Sequence, residues 1–336
     1  MMLNSDILKS QNKRVEYLDF CKVFAIFLVT VAHCAQRISG NQYPELFLSK
    51  DSFISINMPL FMIASGFVMN VNKIRQTRTR DFFLSKLIRL ILPMSSWYLI
   101  MCLVSFQPFQ LNLYWSIYWY LGALFVCLST VKLLSNYILN NYYVCVLSIV
   151  LLTIIPLIFL ERSCFMIPFL WIGYLLRINI GRLGKMSILS LMITFSIMYH
   201  YWNVSYSIYI TPFHIWDINY DSVFAYFFRL LIGVIGGVMV ISLSRFLVEE
   251  KCFWWVRWLA KFGPYTLVFY TMSFVLNTIF ARLLWHFNCF IVTPGFLDIT
   301  SIVVTILMMI VMYYFQIVAK KNKWTQLFFL GEIDVL

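Results

Sequence analysis

Three ionisable side chains stand inside the first apolar stretch of the chain. Residues 17–37 read YLDFCKVFAIFLVTVAHCAQR and carry Asp19, Lys22 and His33. A charge near the middle of a membrane helix costs roughly 2.5–3.5 kcal/mol on insertion scales, so three of them call for a shared reason. Asp19 and Lys22 are an i, i+3 pair and can touch. Lys22 and His33 are eleven residues apart and fall within about 20° of one line on a helix; Asp19 is about 40° off His33. The three form one polar stripe, with Lys22 and His33 roughly 16 Å apart along the axis. An imidazole titrates near neutral pH, which is what a general base needs. Two readings are open. The stripe lines a polar cavity in which His33 does acid–base work, or Asp19 and Lys22 pair near one headgroup layer while His33 caps the other end in water.

The elements that would position this stripe are membrane helices. The chain is 62% hydrophobic and 12% charged, with a mean hydropathy of +0.82, which excludes an ordinary soluble domain. It predicts an all-α, polytopic membrane protein. Ten apolar stretches are predicted to span, at 17–37, 53–71, 82–106, 114–134, 142–160, 164–178, 186–202, 221–247, 262–285 and 297–319. With the N-terminus inside, the cytoplasmic segments hold Lys9, Lys13 and Arg14; Lys73, Arg75, Arg78 and Arg80; Lys132; Arg177, Arg182 and Lys185; Arg245, Lys251, Arg257 and Lys261; and Lys320, Lys321 and Lys323. The opposite loops hold little beyond Arg37, Lys50 and Arg162. The alternation predicts ten helices with both termini cytoplasmic, and it explains most of the net charge of +12 without a nucleic-acid partner. The expected organisation is a tail over 1–16, one membrane domain over 17–319 and a tail over 320–336. No soluble domain or internal repeat is visible. The first stretch is too long for a secretory h-region and lacks a small-residue cleavage site after it, so no signal peptide is expected to be removed.

A second constellation is Lys86 and Arg89, an i, i+3 pair near the cytoplasmic start of the third stretch. It suits anionic lipid headgroups or, more sharply, a phosphorylated ligand arriving from the cytosol. The loops on the other side carry acids and aromatics: Glu45 and Asp51, then Tyr114, Trp115, Tyr118, Trp119 and Tyr120, then Tyr206 to Asp221. They read mainly as an interfacial belt and secondarily as a sugar site. Arg229 and Arg282 are further intramembrane charges, each a site by default. His200, His214 and His286 read as ordinary. The eight cysteines are scattered singly without C-x-x-C, as buried apolar residues rather than disulfides or metal ligands. No zinc spacing, P-loop, dinucleotide fingerprint or G-x-S-x-G elbow occurs, and no metal is expected.

Six motifs, in order, carry a resemblance. YLDFCKVFAIFLVTVAH has a basic residue, ten residues and then His; NMPLFMIASGF, KLIR with Leu90 and Pro93, YWYLGALF, FLWIGYLL and KFGPYTLVFY follow. In these the chain resembles the acyltransferase-3 family of integral membrane acyltransferases, which O-acetylate bacterial surface and extracellular polysaccharides. The resemblance implies acetyl-CoA as acyl donor, a glycan or lipid-linked saccharide as acceptor, membrane lipids around the chain and a place in the inner (plasma) membrane. It implies Lys86 and Arg89 on the donor phosphates, His33 as general base, Lys22 holding donor groups or developing charge, and Asp19 placing Lys22. The chain departs from the family pattern in three ways. Thr271, Met272 and Ser273 follow Tyr270 where a His is common, Val23 stands where Gly is usual, and no hydrolase-like domain is fused. Two other classes compete: an exporter or flippase of a polysaccharide or its precursor, and a structural subunit of a glycan-assembly complex.

Overall fold

The computed structural model describes residues 15–39, 55–154, 161–206, 220–286 and 294–332. Among them every regular element is helical. In order these are α1 Glu16–Ile38, α2 Asn57–Val68, α3 Val71–Gln76, α4 Thr79–Ser105, α5 Leu111–Ile117, α6 Trp119–Tyr137, α7 Asn141–Ile154, α8 Glu161–Asn179, α9 Lys185–His200, α10 Tyr220–Glu250, α11 Trp254–Ala260, α12 Thr266–His286 and α13 Pro294–Ala319. Short turns at Lys323–Thr325 and Gln326–Leu330 close the described chain.

Six helical segments among the described residues are long and apolar enough to cross a membrane: Glu16–Ile38, Thr79–Ser105, Trp119–Tyr137, Tyr220–Glu250, Trp254–Leu284 and Phe296–Ala319. Each of the ten predicted stretches contains a helix, but several are shorter than expected. The second keeps only 12 residues, because the chain leaves the helix at Met69, whose backbone is extended. Asn70 then starts α3, its side-chain oxygen accepting from the Lys73 N–H at 3.0 Å. The third stretch begins earlier than expected and widens to a π turn over Leu87–Ile91. Pro93 has no N–H to give back to the turn before it, a common origin of such irregularity.

α1 is the hub. Most of its residues are buried, and α2, α10, α11, α12 and α13 all pack on it. α2 and α8 approach so closely that only glycine fits. A Cβ on Gly173 would stand 2.0 Å from the Ile63 carbonyl oxygen, and one on Gly66 would stand 1.8 Å from that of Leu170. These are the glycines of the ASGF and FLWIGYLL motifs, so part of the motif set is a helix crossing of the small-residue kind.

Helices leave their last carbonyls without partners, and cations from neighbouring helices supply many of them here. Lys132 is 1% exposed, and its ammonium donates to the carbonyls of Ile74, Arg75 and Thr77 at 2.9, 3.2 and 2.6 Å, closing α3. Arg75 returns the service at the end of α6, donating to Ser135 O, Ile138 O and Leu139 O and to Asn141 Oδ1. Arg245 donates to Ile180 O after α8, and Arg257 to Val248 O in the last turn of α10. Charges counted on the cytoplasmic side thus hold helix ends.

Phe253, Trp254, Trp255 and Trp258 are exposed around α11, beside Lys251, Arg257 and Lys261. Trp324 is exposed among Lys320, Lys321 and Lys323, and Lys320 stands 5.3 Å from the Tyr265 ring, so both groups lie at one end of the bundle. This is the arrangement of an interfacial belt.

Two predictions test the packing. Gly173→Ala lowers stability by about 1–3 kcal/mol, since overpacking here meets backbone, whereas Gly181→Ala, with open space around it, is neutral. Lys132→Met removes the donor from three carbonyls and lowers stability by about 1–3 kcal/mol. Unfolding midpoints of detergent-purified protein check both.

Candidate functional site

Asp19 and Lys22 touch as their i, i+3 spacing allows. Lys22 Nζ lies 3.3 Å from Asp19 Oδ1, with the Asp19 side chain 8% and the Lys22 side chain 27% exposed. Asp19 is pressed against the turn Gly263–Tyr265 that precedes α12, and a Cβ on Gly263 would fall 2.3 Å from Asp19 Cβ and 2.7 Å from Oδ1. The glycine of K-F-G-P-Y therefore exists to seat the aspartate. Glu16 and Arg257 add an ion pair at 3.8 Å between α1 and α11.

His33 is half-buried near the other end of α1, its ring centroid 4.9 Å from that of Phe274 on α12. Phe274 is held from behind by Tyr118, ring to ring at 5.4 Å. The Tyr118 hydroxyl donates to Thr271 O at 3.0 Å, and the Tyr270 hydroxyl donates in the reverse sense to Ile117 O at 3.3 Å. This reciprocal pair ties α12 to the α5–α6 junction. Tyr98, Tyr114 and Tyr120 extend the cluster, with hydroxyl contacts to Gln110 O at 2.8 Å, Ser95 Oγ at 2.9 Å and Ser65 Oγ at 3.4 Å. Tyr114, Tyr118, Trp119 and Tyr120 are all buried, which corrects their expected place in an interfacial belt. They turn inward because each hydroxyl or ring finds a partner on a neighbouring helix. Glu45, Asp51 and residues 207–219 of the other aromatic loop lie outside the described residues.

Above His33 an open cavity of about 700 Å³ sits between α1, α4, α5 and α12. Its lining includes Arg37, Ser105, Gln107, Thr278, Arg282 and His286. Arg37 is one turn from His33 on α1, and Thr278 is one turn from Phe274 on α12. Arg282 donates to Val104 O and Ser105 O, the last carbonyls of α4. Arg282 was legible as an intramembrane charge; His286 was read as ordinary and Arg37 as a loop cation. The signal for Arg37 was available, since it continues the stripe at i+4 from His33.

Lys86 and Arg89 lie at the opposite end of the bundle from this cavity. Lys86 is half-buried, its ammonium 5.6 Å from the Phe82 ring, while Arg89 is exposed on the π turn. Gly331, in the left-handed region at φ 65°, rests on this turn: a Cβ there would come within 2.9 Å of Ile88 O, Arg89 O and Pro93. Trp97, Phe315 and Phe329 pack together beside it. Arg229 is buried in α10, its guanidinium 5.0 Å from the Phe165 ring, away from both ends of the stripe.

Among the described residues, an all-helical arrangement with six helices long and apolar enough to span describes a multi-pass membrane protein. The chain matches the family model described as "Acyltransferase domain" over residues 15–319, and it belongs to that family, acyltransferase-3. No curated protein and no solved structure matches it. Family membership makes it a membrane acyltransferase.

The contact at Gly263 yields a prediction. Gly263→Ala forces Asp19 or the turn to shift, and small misplacements in a reactive site are costly. Acyl transfer in membranes falls tenfold or more at matched protein level; unchanged transfer would show that Asp19 needs no such seat.

Proposed function

We propose that this chain moves an acetyl group from cytosolic acetyl-CoA to a hydroxyl of a surface or extracellular glycan, or its lipid-linked precursor, with His33 as general base. The observation that carries the reading is the half-buried imidazole on α1, one helical turn from Arg37, which lines an open cavity. In the reaction His33 takes the proton of the acceptor hydroxyl as its oxygen attacks the thioester carbon. The tetrahedral oxyanion collapses, the C–S bond breaks, and the thiolate leaves and takes up a proton.

Lys86 and Arg89 bind the donor's phosphates at the cytosolic end, where a half-buried ammonium and an exposed guanidinium on an irregular turn can both reach an anion. Roughly 16 Å separates Lys22 from His33, too far for both to act on one carbonyl. That span supports Lys22 as a hold on the extended donor arm, with Asp19 fixing the ammonium. The protein sits in the inner (plasma) membrane with ten spanning helices and both termini in the cytosol. The charge alternation and the Trp- and Lys-rich end of the bundle support this orientation.

The test is transfer of labelled acetyl from acetyl-CoA in membranes. His33→Ala lowers incorporation by about 10²–10⁴-fold. The double variant Lys86→Ala/Arg89→Ala chiefly raises the KM for acetyl-CoA. Variants that label as well as wild type remove those residues from the mechanism. A wild type that never labels, while glycan export still depends on it, returns the exporter reading.

A further inference from the structure

Many cations among the described residues meet carbonyls, acids or rings of neighbouring helices. At the far end of α1 several line one cavity. The cavity lining brings Arg37, Arg282 and His286 together with Ser105, Gln107 and Thr278, and it contains no Asp or Glu among the described residues. Among those residues neither arginine forms an ion pair. Arg282 uses Nη1 and Nη2 on two carbonyls, but a guanidinium carries five N–H groups and keeps others to offer. Among the described residues Arg37 makes no helix-capping bond of this kind. Arg37 stands in the last turn of α1, His286 in that of α12, and Arg282 on the last carbonyls of α4, so three helix ends bring their cations to one concavity. Helix capping places these groups; it leaves the remaining guanidinium N–H groups facing the cavity.

We infer that this cavity binds an anionic group, a phosphate or a carboxylate, carried by the acceptor, and that Arg37 with Arg282 and His286 selects it. The inference rests on the acyltransferase reading and names its acceptor class. Arg37 stands roughly 6 Å above His33 along α1, about the width of one sugar ring. An anion held at Arg37 therefore brings a hydroxyl of the same or the next sugar to the imidazole. A neutral glycan leaves the guanidinium groups facing the ligand without a partner, which makes the site discriminate by charge. The anion has two chemical sources: the diphosphate that joins a saccharide to a lipid carrier, or an acidic sugar.

The test measures binding without any acyl donor. Purified protein in nanodiscs of neutral phosphatidylcholine is titrated with hexyl β-glucoside, hexyl β-glucuronide and farnesyl diphosphate. At least one anionic probe binds tenfold or more tighter than the neutral glucoside, a difference of about 1.4 kcal/mol. Arg37→Gln abolishes the preference, and Arg37→Lys restores part of it. Both variants keep the wild-type unfolding midpoint, which separates lost binding from lost fold. A stronger response to farnesyl diphosphate assigns the anion to the carrier linkage; a stronger response to the glucuronide assigns it to the sugar. Equal binding of all three probes, or an unchanged preference in Arg37→Gln, overturns the inference. Acetyl labelling of a neutral product without anion binding overturns it while leaving the acyltransferase reading intact. Anion binding without any acetyl transfer does the reverse.

Discussion

The structure depends on how helix ends find hydrogen-bond donors in a setting short of water. Each helix leaves its final carbonyls open, and in or near lipid an open carbonyl costs far more than at a wet surface. This chain answers with long cationic side chains reaching from a neighbour: Lys132 to the end of α3, Arg75 to the end of α6, Arg282 to the end of α4 and Arg257 to the end of α10. Each such bond is also a tie between two helices, so termination and assembly are one event. The exchange between Lys132 and Arg75 is the clearest case, since each residue closes the helix that carries the other. The resulting scaffold fixes α4 against α12, and those two helices with α1 and α5 enclose the cavity above His33.

The helical class, the membrane setting and the Asp19–Lys22 contact were readable from periodicity and composition, because a 3.6-residue repeat projects directly onto a helix face. Element lengths were less readable. The second stretch stops early because Met69 and Asn70 turn the chain, a decision made by two residues inside an apolar run. The π turn at Leu87–Ile91 follows from Pro93 and from the close approach of Gly331, some 240 residues downstream. The destinations of the cations were unreadable for a related reason. A positive-inside count says on which side a lysine lies, not whether it meets a phosphate, a lipid or a carbonyl.

The cavity belongs to the same category. Arg37 and Arg282 come from the first and the twelfth helix, and no local pattern says that their side chains converge. The tyrosines of the α5–α6 segment misled in an instructive way. Their composition is that of a membrane-interface belt, yet Tyr118 is completely buried and spends its hydroxyl on Thr271 O. Aromatic residues with polar tips suit a wet interface and a satisfied core equally well, and only the partner decides. The family glycines show the converse: Gly66, Gly173 and Gly263 sit in recognisable motifs, but their reason is a backbone oxygen or an aspartate at sub-contact distance.

The Asp19–Lys22 pair has a consequence for biogenesis. α1 leaves the ribosome long before α12 and the turn preceding it, which supply the Gly263 seat and the Phe274 face and are made more than two hundred residues later. For most of synthesis the first helix must rest in the bilayer without the partners it will keep. A lone aspartate or lysine there would favour expulsion. Because the two charges are i, i+3 neighbours, they neutralise each other within the helix itself, before any tertiary contact exists. The pair is thus an insertion device carried by the nascent chain, and the polar stripe is delivered into the membrane already half compensated.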